Sequence, residues 1–266
     1  MANSAKCADG SDNLGVIRPW VNGLDITRRP RHMWIIDFGV GMPREEAALH
    51  EAPFEYVSEH VAPIRRGNRD RQRRENWWRL GRSGGDLREA ARGLERLIVT
   101  PRVSKYRLFV WAPADTLPDS AVVAVARDDD YAFGVLHSHV HELWARGMGT
   151  QLREVESGFR YTPTTCFETF PFPHSTTEQR TRISEAAQEL DRLRRGWLDP
   201  EGWSELRKKR RTLTHLYNER PQWLLDIHDR LDRAVLAAYG WPSDVAPHDL
   251  LGHLLELNLA REAATE

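Results

Sequence analysis

Cysteine is scarce: Cys7 and Cys166 are the two in 266 residues, and they stand far apart. That argues against a disulfide scaffold and against a cysteine-rich zinc site, and a reducing cytoplasm is the expected setting. Long apolar runs are missing as well. No stretch approaches the ~20 residues needed to cross a bilayer, and the N-terminus lacks the apolar core of a secretory signal, so no membrane contact is expected. There is no excess of positive charge. Lys+Arg 38 against Asp+Glu 39 gives a formal net charge of −1, so any attraction for nucleic acid must come from local patches.

Metal-ligand patterns are also wanting. Asp128, Asp129 and Asp130 are consecutive, so they cannot easily converge on one ion. They lack the glycine-spaced order of a calcium loop and read as a surface acidic turn. His137 and His141 stand at i and i+4, but Glu142 follows them where a zinc protease needs its glutamate between. With His139 they read as capping or packing residues. No metal is expected.

What is present suits a folded protein. Hydrophobic residues make up 40% and charged residues 29%, enough for one large or two modest domains with real cores. Residues 1–15 are small and polar and read as a disordered tail. Met33 to Phe38 reads as a short buried strand running into the Asp37-Phe38-Gly39-Val40-Gly41 turn. That turn faintly resembles a cofactor loop, yet no β-α series with a second acid follows, and a plain glycine turn is preferred. A helix is expected from Pro43 to about His60, with acids in its first turn.

Residues 63–82 are the sharpest charge feature. Arg65, Arg66, Arg69, Arg71, Arg73, Arg74, Arg79 and Arg82 surround Trp77 and Trp78. Planar guanidiniums suit phosphates and guanine edges better than lysine does, so this run is a DNA-contact candidate; the alternative is a solvated face with inward tryptophans. Residues 86–97 read as an amphipathic helix, 98–111 as strand, turn and strand, and 121–126 as a strand buried on both faces. Tyr131 to Trp144 reads as one helix.

The chain is organised around Phe159 to Pro173. Thr164-Thr165-Cys166-Phe167 reads as a buried extended strand, and Phe170-Pro171-Phe172-Pro173 as its rigid exit, because proline lacks the ladder N–H. After it the pattern turns helical. Ser175 to Glu178 is a capping sequence for a helix to about Gly196. Pro221 opens another that ends at Gly240, and a last helix is expected over about 249–263. The basic run Arg207 to Arg211 is either a second phosphate patch or an exposed face.

The stretch from Tyr161 to Pro173, with the Asp129-to-Leu152 segment before it, resembles the C-terminal part of MmeI-like adenine DNA methyltransferases and restriction-modification enzymes. The resemblance runs from about Val16 to about Gly240. It implies a DNA target recognition domain over 16–174 and a C-terminal helical bundle or arm over 175–266, an α+β fold overall. It also implies duplex DNA as partner and makes Arg102, Ser104, Lys105 and Arg107 contact candidates, with a charged hairpin edge as the alternative. Tyr161 joins the candidates, although its hydroxyl could equally serve buried backbone.

Two things that family uses are not found. No Asn/Asp-Pro-Pro-aromatic loop is present to hold a flipped adenine, and no acidic-and-lysine nuclease cluster is recognisable. No catalytic or cofactor-binding residue is therefore assigned. S-adenosylmethionine is expected for the complete enzyme, with a separate methyltransferase chain as one way to supply it. The competing readings are a stand-alone methyltransferase using Asp37 to Gly41, and a non-enzymatic interaction module or stand-alone DNA-binding protein.

Overall fold

The computed structural model describes residues 13–82, 84–151 and 158–264. A 3-10 turn, Asn13–Val16, leads into β1 (Ile17–Val21), α1 (Gly23–Thr27) and β2 (Met33–Ile36). Four short helices and a fifth follow: α2 (Arg44–Ala47), α3 (Glu51–His60), α4 (Ala62–Arg66), α5 (Arg71–Glu75) and α6 (Gly85–Ala90). The strands β3 (Arg96–Pro101), β4 (Val103–Ser104), β5 (Val110–Pro113), β6 (Leu117–Pro118) and β7 (Val122–Val125) come next. Then come α7 (Asp130–His137), α8 (His139–Met148), β8 (Thr150–Gln151), β9 (Phe159–Arg160) and a π-helical turn, Pro163–Phe167. The helices α9 (Thr177–Leu198), α10 (Glu205–Lys208), α11 (Leu213–Glu219), α12 (Gln222–Tyr239) and α13 (Pro247–Ala263) complete the chain. The fold is α+β. Among the described residues no helix is long and apolar enough to cross a membrane.

The chain forms two compact units: residues 1–20, 32–93 and 113–117, and residues 21–31, 94–112 and 118–266. In the first, β1 pairs antiparallel with β2, Arg18 facing Ile35 and Pro19 facing Trp34. Its core gathers Val16, Phe38, Ala47 and Val57, with Phe54, Trp77 and Trp78 packed around them. The Arg-rich run is thus anchored through its two tryptophans.

The second unit holds sheets ordered β5-β3-β7 and β4-β9-β8. Its core combines Ile98, Phe109, Val123, Phe133, Phe159 and Tyr161. The long α9 starts at a capping box in which Thr176 and Gln179 satisfy each other's backbone N–H groups. It buries Ile183, Ala186, Ala187 and Leu190 at helical spacing. Gly134 of α7 lets the helices approach closely, since a Cβ there would lie 2.8 Å from the Ile183 Cγ2. The segment after 174 falls in the same compact unit as these sheets.

Several expectations are corrected. The run read as one helix over 131–144 is two, because the Ser138 Oγ accepts the His141 N–H and caps α8 in mid-run. The helix expected over 86–97 ends at Ala90; Gly93 turns the chain with φ +81, and Leu97 belongs to β3. The helix expected from Pro43 to His60 is interrupted between Ala47 and Glu51. The strand expected at Thr164–Phe167 is a π-helical turn with the Glu168 N–H bonded to the Pro163 carbonyl. Of the expected tail 1–15, residues up to 12 lie outside the described residues, whereas Asn13 begins a 3-10 turn and is buried.

Candidate nucleic-acid interface

The arginine run in the first unit is a short, folded segment whose cations have unequal tasks. Arg79 donates to the carbonyl of Met42 from Nε (3.0 Å) and Nη2 (2.8 Å), and to that of Gly41 (3.0 Å). Its guanidinium lies 5.2 Å from the Trp78 ring centroid, while the Trp78 indole N–H also donates to Met42. Arg65 donates to the Arg79 carbonyl and is half-buried; burial and the neighbouring Arg73 hold its pKa below the usual arginine value. Arg74 donates to the carbonyls of Asn68 (2.7 Å) and Arg69 (3.1 Å). These three hold the loop together.

Two more are ion-paired on α5. Arg71 meets Glu75 at 2.7 Å and Arg73 meets Asp70 at 3.4 Å. Such exposed pairs are worth little and exchange readily for another anion. Arg66 and Arg69 are exposed and have no side-chain partner among the described residues, and the same holds for Arg82. A braced loop carrying unpaired guanidiniums can take phosphate without reorganising.

The remaining candidates lie in the second unit and separate sharply. Lys105 is exposed, with Nζ 3.1 Å from the Asn218 Oδ1, and the Tyr106 hydroxyl donates to the same atom at 2.8 Å. Arg102 is half-buried and its backbone is fixed, its N–H on the Ala121 carbonyl and its carbonyl on the Tyr161 N–H, both at 2.7 Å. Ser104 is buried opposite Phe159 in the β4–β9 ladder. Gly158 packs against the Ser104 carbonyl so closely, at φ +85, that a Cβ would lie 2.0 Å from its oxygen.

Arg107 and Tyr161 are corrected: neither can meet DNA as placed. Arg107 is 6% exposed, donates to the Pro101 carbonyl, and sits 4.9 Å from the Tyr161 ring and 5.1 Å from the Phe159 ring. Burial pushes its pKa down to about 10. Tyr161 is fully buried. The His141 Nδ1 faces the Leu136 carbonyl at 2.9 Å and so carries the proton, leaving Nε2 to accept from the Tyr161 hydroxyl at 3.0 Å. Burial drives Tyr161 upward and His141 down to about 3, so both stay neutral.

A second buried cation escaped the sequence reading. Arg194 of α9 is 2% exposed and donates to the Phe109 carbonyl and to the His137 Nε2, each at 2.7 Å. His137 gives its Nδ1 proton to the Phe133 carbonyl at 3.0 Å and is held neutral by burial and by Arg194. The only sequence signal was an arginine on the apolar stripe of α9. Asn218, the anchor of Lys105, had no local signal at all.

The turn after β2 is a glycine turn, as expected. The Asp37 Oδ1 accepts the Gly39 N–H at 3.0 Å, Gly39 has φ +71, and the Asp37 Oδ2 meets Arg88 at 2.8 Å. Asp129 and Asp130 serve locally too, Asp129 capping α7 and Asp130 pairing with Arg96 at 2.9 Å.

Comparison with known proteins places this geometry. A solved structure of the Type IIL restriction-modification enzyme MmeI in complex with DNA superposes with a TM-score of 0.74 at 20% identity, covering 94% of this chain and 31% of that one. DNA methyltransferase A of Bacillus subtilis (strain 168) is 26% identical over 221 residues, 79% of this chain and 23% of that protein. The chain therefore spans less than a third of the length of either. The family described as MmeI, target recognition domain, matches residues 33–174, a span holding every contact candidate on both units. The chain belongs to the MmeI target recognition domain family.

Proposed function

We propose that this chain is the DNA-recognition portion of a site-specific restriction-modification methyltransferase that modifies adenine N6 in the cytoplasm. The observation that carries the reading is the family match over 33–174 falling on a braced loop with unpaired arginines. Arg66 and Arg69, with Arg71 and Arg73 once released from their acids, meet phosphates; Lys105 and Arg102 do so in the second unit. Arg65, Arg74 and Arg79 position the loop rather than touch DNA.

Methyl transfer and S-adenosylmethionine belong, on this reading, to a methyltransferase domain that these residues do not form, supplied within a longer chain or by a separate one. The Asp37 carboxylate fits this assignment, because it accepts the Gly39 N–H and meets Arg88, holding the turn together from within the chain. One observation favours the protein-interaction alternative: Met33 and Trp34 of β2 and Ile64 of α4 are large apolar side chains left exposed.

The test is binding of the purified chain to mixed-sequence duplex DNA across a salt series. The reading expects log affinity to fall with log salt at about 0.9 per phosphate met. Absent binding at low salt removes it and puts protein docking first.

A further inference from the structure

The proposed function leaves one charged surface unused, the run Arg207 to Arg211 before α11. Its bland role is already filled by one member. Arg211 donates to the Trp197 carbonyl at 2.7 Å and lies 4.6 Å from the Trp197 ring and 4.4 Å from the Trp203 ring. Arg29 donates to the next carbonyl, Leu198, at 3.1 Å, and meets Asp199 at 2.6 Å. Together they cap the negative end of α9. Lys208 is paired with Glu205 at 3.2 Å.

The other members have no such task. Arg207, Lys209 and Arg210 are exposed, with no side-chain partner among the described residues. Arg28 is exposed and has no side-chain partner among the described residues, and the residue before it is tied to α11, the Thr214 hydroxyl donating to the Thr27 carbonyl at 3.0 Å. Nearby acids are largely committed: Asp199 to Arg29, Glu205 to Lys208 and Glu219 to His215 at 3.1 Å. At the other end of α11, Asn218 holds Lys105. Seven helical residues rise roughly 10 Å, so the unpaired cations stand near one end of a short rod and Lys105, held by Asn218, at the other, inside one unit.

We propose that Arg28, Arg207, Lys209 and Arg210 form a second DNA-backbone contact, continued across α11 by Lys105, which adds affinity without reading sequence. It rests on the proposed function above. Exposed lysine and arginine beside a fixed helix, with the neighbouring acids Asp199, Glu205 and Glu219 already paired, suit a polyanion backbone rather than one small ligand. A role in positioning fits as well, because phosphate contacts fix register without carrying sequence information.

The experiment compares the whole chain with Arg207→Ala/Lys209→Ala/Arg210→Ala, and with a milder Lys209→Gln/Arg210→Gln pair, on the same mixed-sequence duplex across a salt series. Unchanged melting temperatures check that each variant folds. The proposal expects the salt slope to fall by about 2.7 for the triple and about 1.8 for the pair, with base preference unaltered. A slope equal to the parent's in a folded variant overturns this contact and leaves the recognition reading standing. A parent that binds no DNA at low salt overturns both.

Discussion

Arginine means opposite things in two regions of this molecule. On the loop over 63–82 the guanidiniums lie at or near the surface, brace carbonyls or pair with neighbours, and leave Arg66 and Arg69 open. In the interior of the second unit, Arg107 and Arg194 are sealed among aromatic rings and histidines with no carboxylate in direct contact among the described residues. Burying a cation is costly, and here carbonyl acceptors, neutral histidine nitrogen and ring faces offset it. Residue type alone does not tell a DNA-binding arginine from a structural one; what decides is whether its donors are already spent.

The comparison breaks most visibly at Arg194. Arg194→Ala should orphan the Phe109 carbonyl and leave a cavity, at a cost of about 3 kcal/mol, read as a lowered denaturation midpoint. Arg107→Met should cost much less, because among the described residues Arg107 makes one hydrogen bond, to Pro101, and an apolar stem can fill its ring-lined site. Equal losses at the two positions would mean the rings and not the acceptors hold these cations.

Next in size is Arg79→Ala, which removes the clasp on Gly41 and Met42. It should cost about 2 kcal/mol and weaken DNA binding only through a loosened loop. If binding fell with the loop still folded, Arg79 would be a contact and the division drawn here would fail.

The interior also predicts a pH signature that the surface loop does not share. His141 and His228 are pushed down to about 3 and about 4, chiefly by burial. The unfolded histidines take up protons near 6.5, so stability present above that pH is lost as it falls toward 4. Asp232 on α12 works the other way. Burial pushes it up to about 7, against the hydrogen bond it accepts from the His139 N–H at 2.7 Å. The folded state then holds the proton that the unfolded state has lost, and stability declines as pH rises from about 4 to about 7. Asp232→Asn should raise the melting temperature at pH 8 and leave it nearly unchanged at pH 4; an equal shift at both would contradict the assignment.

Legibility in the sequence followed the same divide between local and remote causes. The ends of α9, α12 and α13 could be read, since Thr176, Pro221, Gly240 and Pro247 act within a few residues of the boundary they set. The break at Ser138 could not, because the apolar spacing continues through it and one hydroxyl decides the matter. The exposed arginine loop was legible as charge, whereas its bracing was not: Arg79 reaches Met42 across a sequence separation of 37. Arg107 and Tyr161 were misread for a like reason. The groups that consume them, Pro101 and His141, come together only when β3, the segment before β5, and α8 are assembled.

The smallest expected effect on stability is at the open cations. Arg66→Ala/Arg69→Ala should change it by no more than about 0.5 kcal/mol, yet this pair tests the central claim most directly. The measurement is the salt dependence of duplex-DNA affinity for this variant beside the parent chain. The account predicts a slope lower by about 1.8 with the melting temperature unchanged. A variant that binds DNA with the parent's affinity and slope would contradict it.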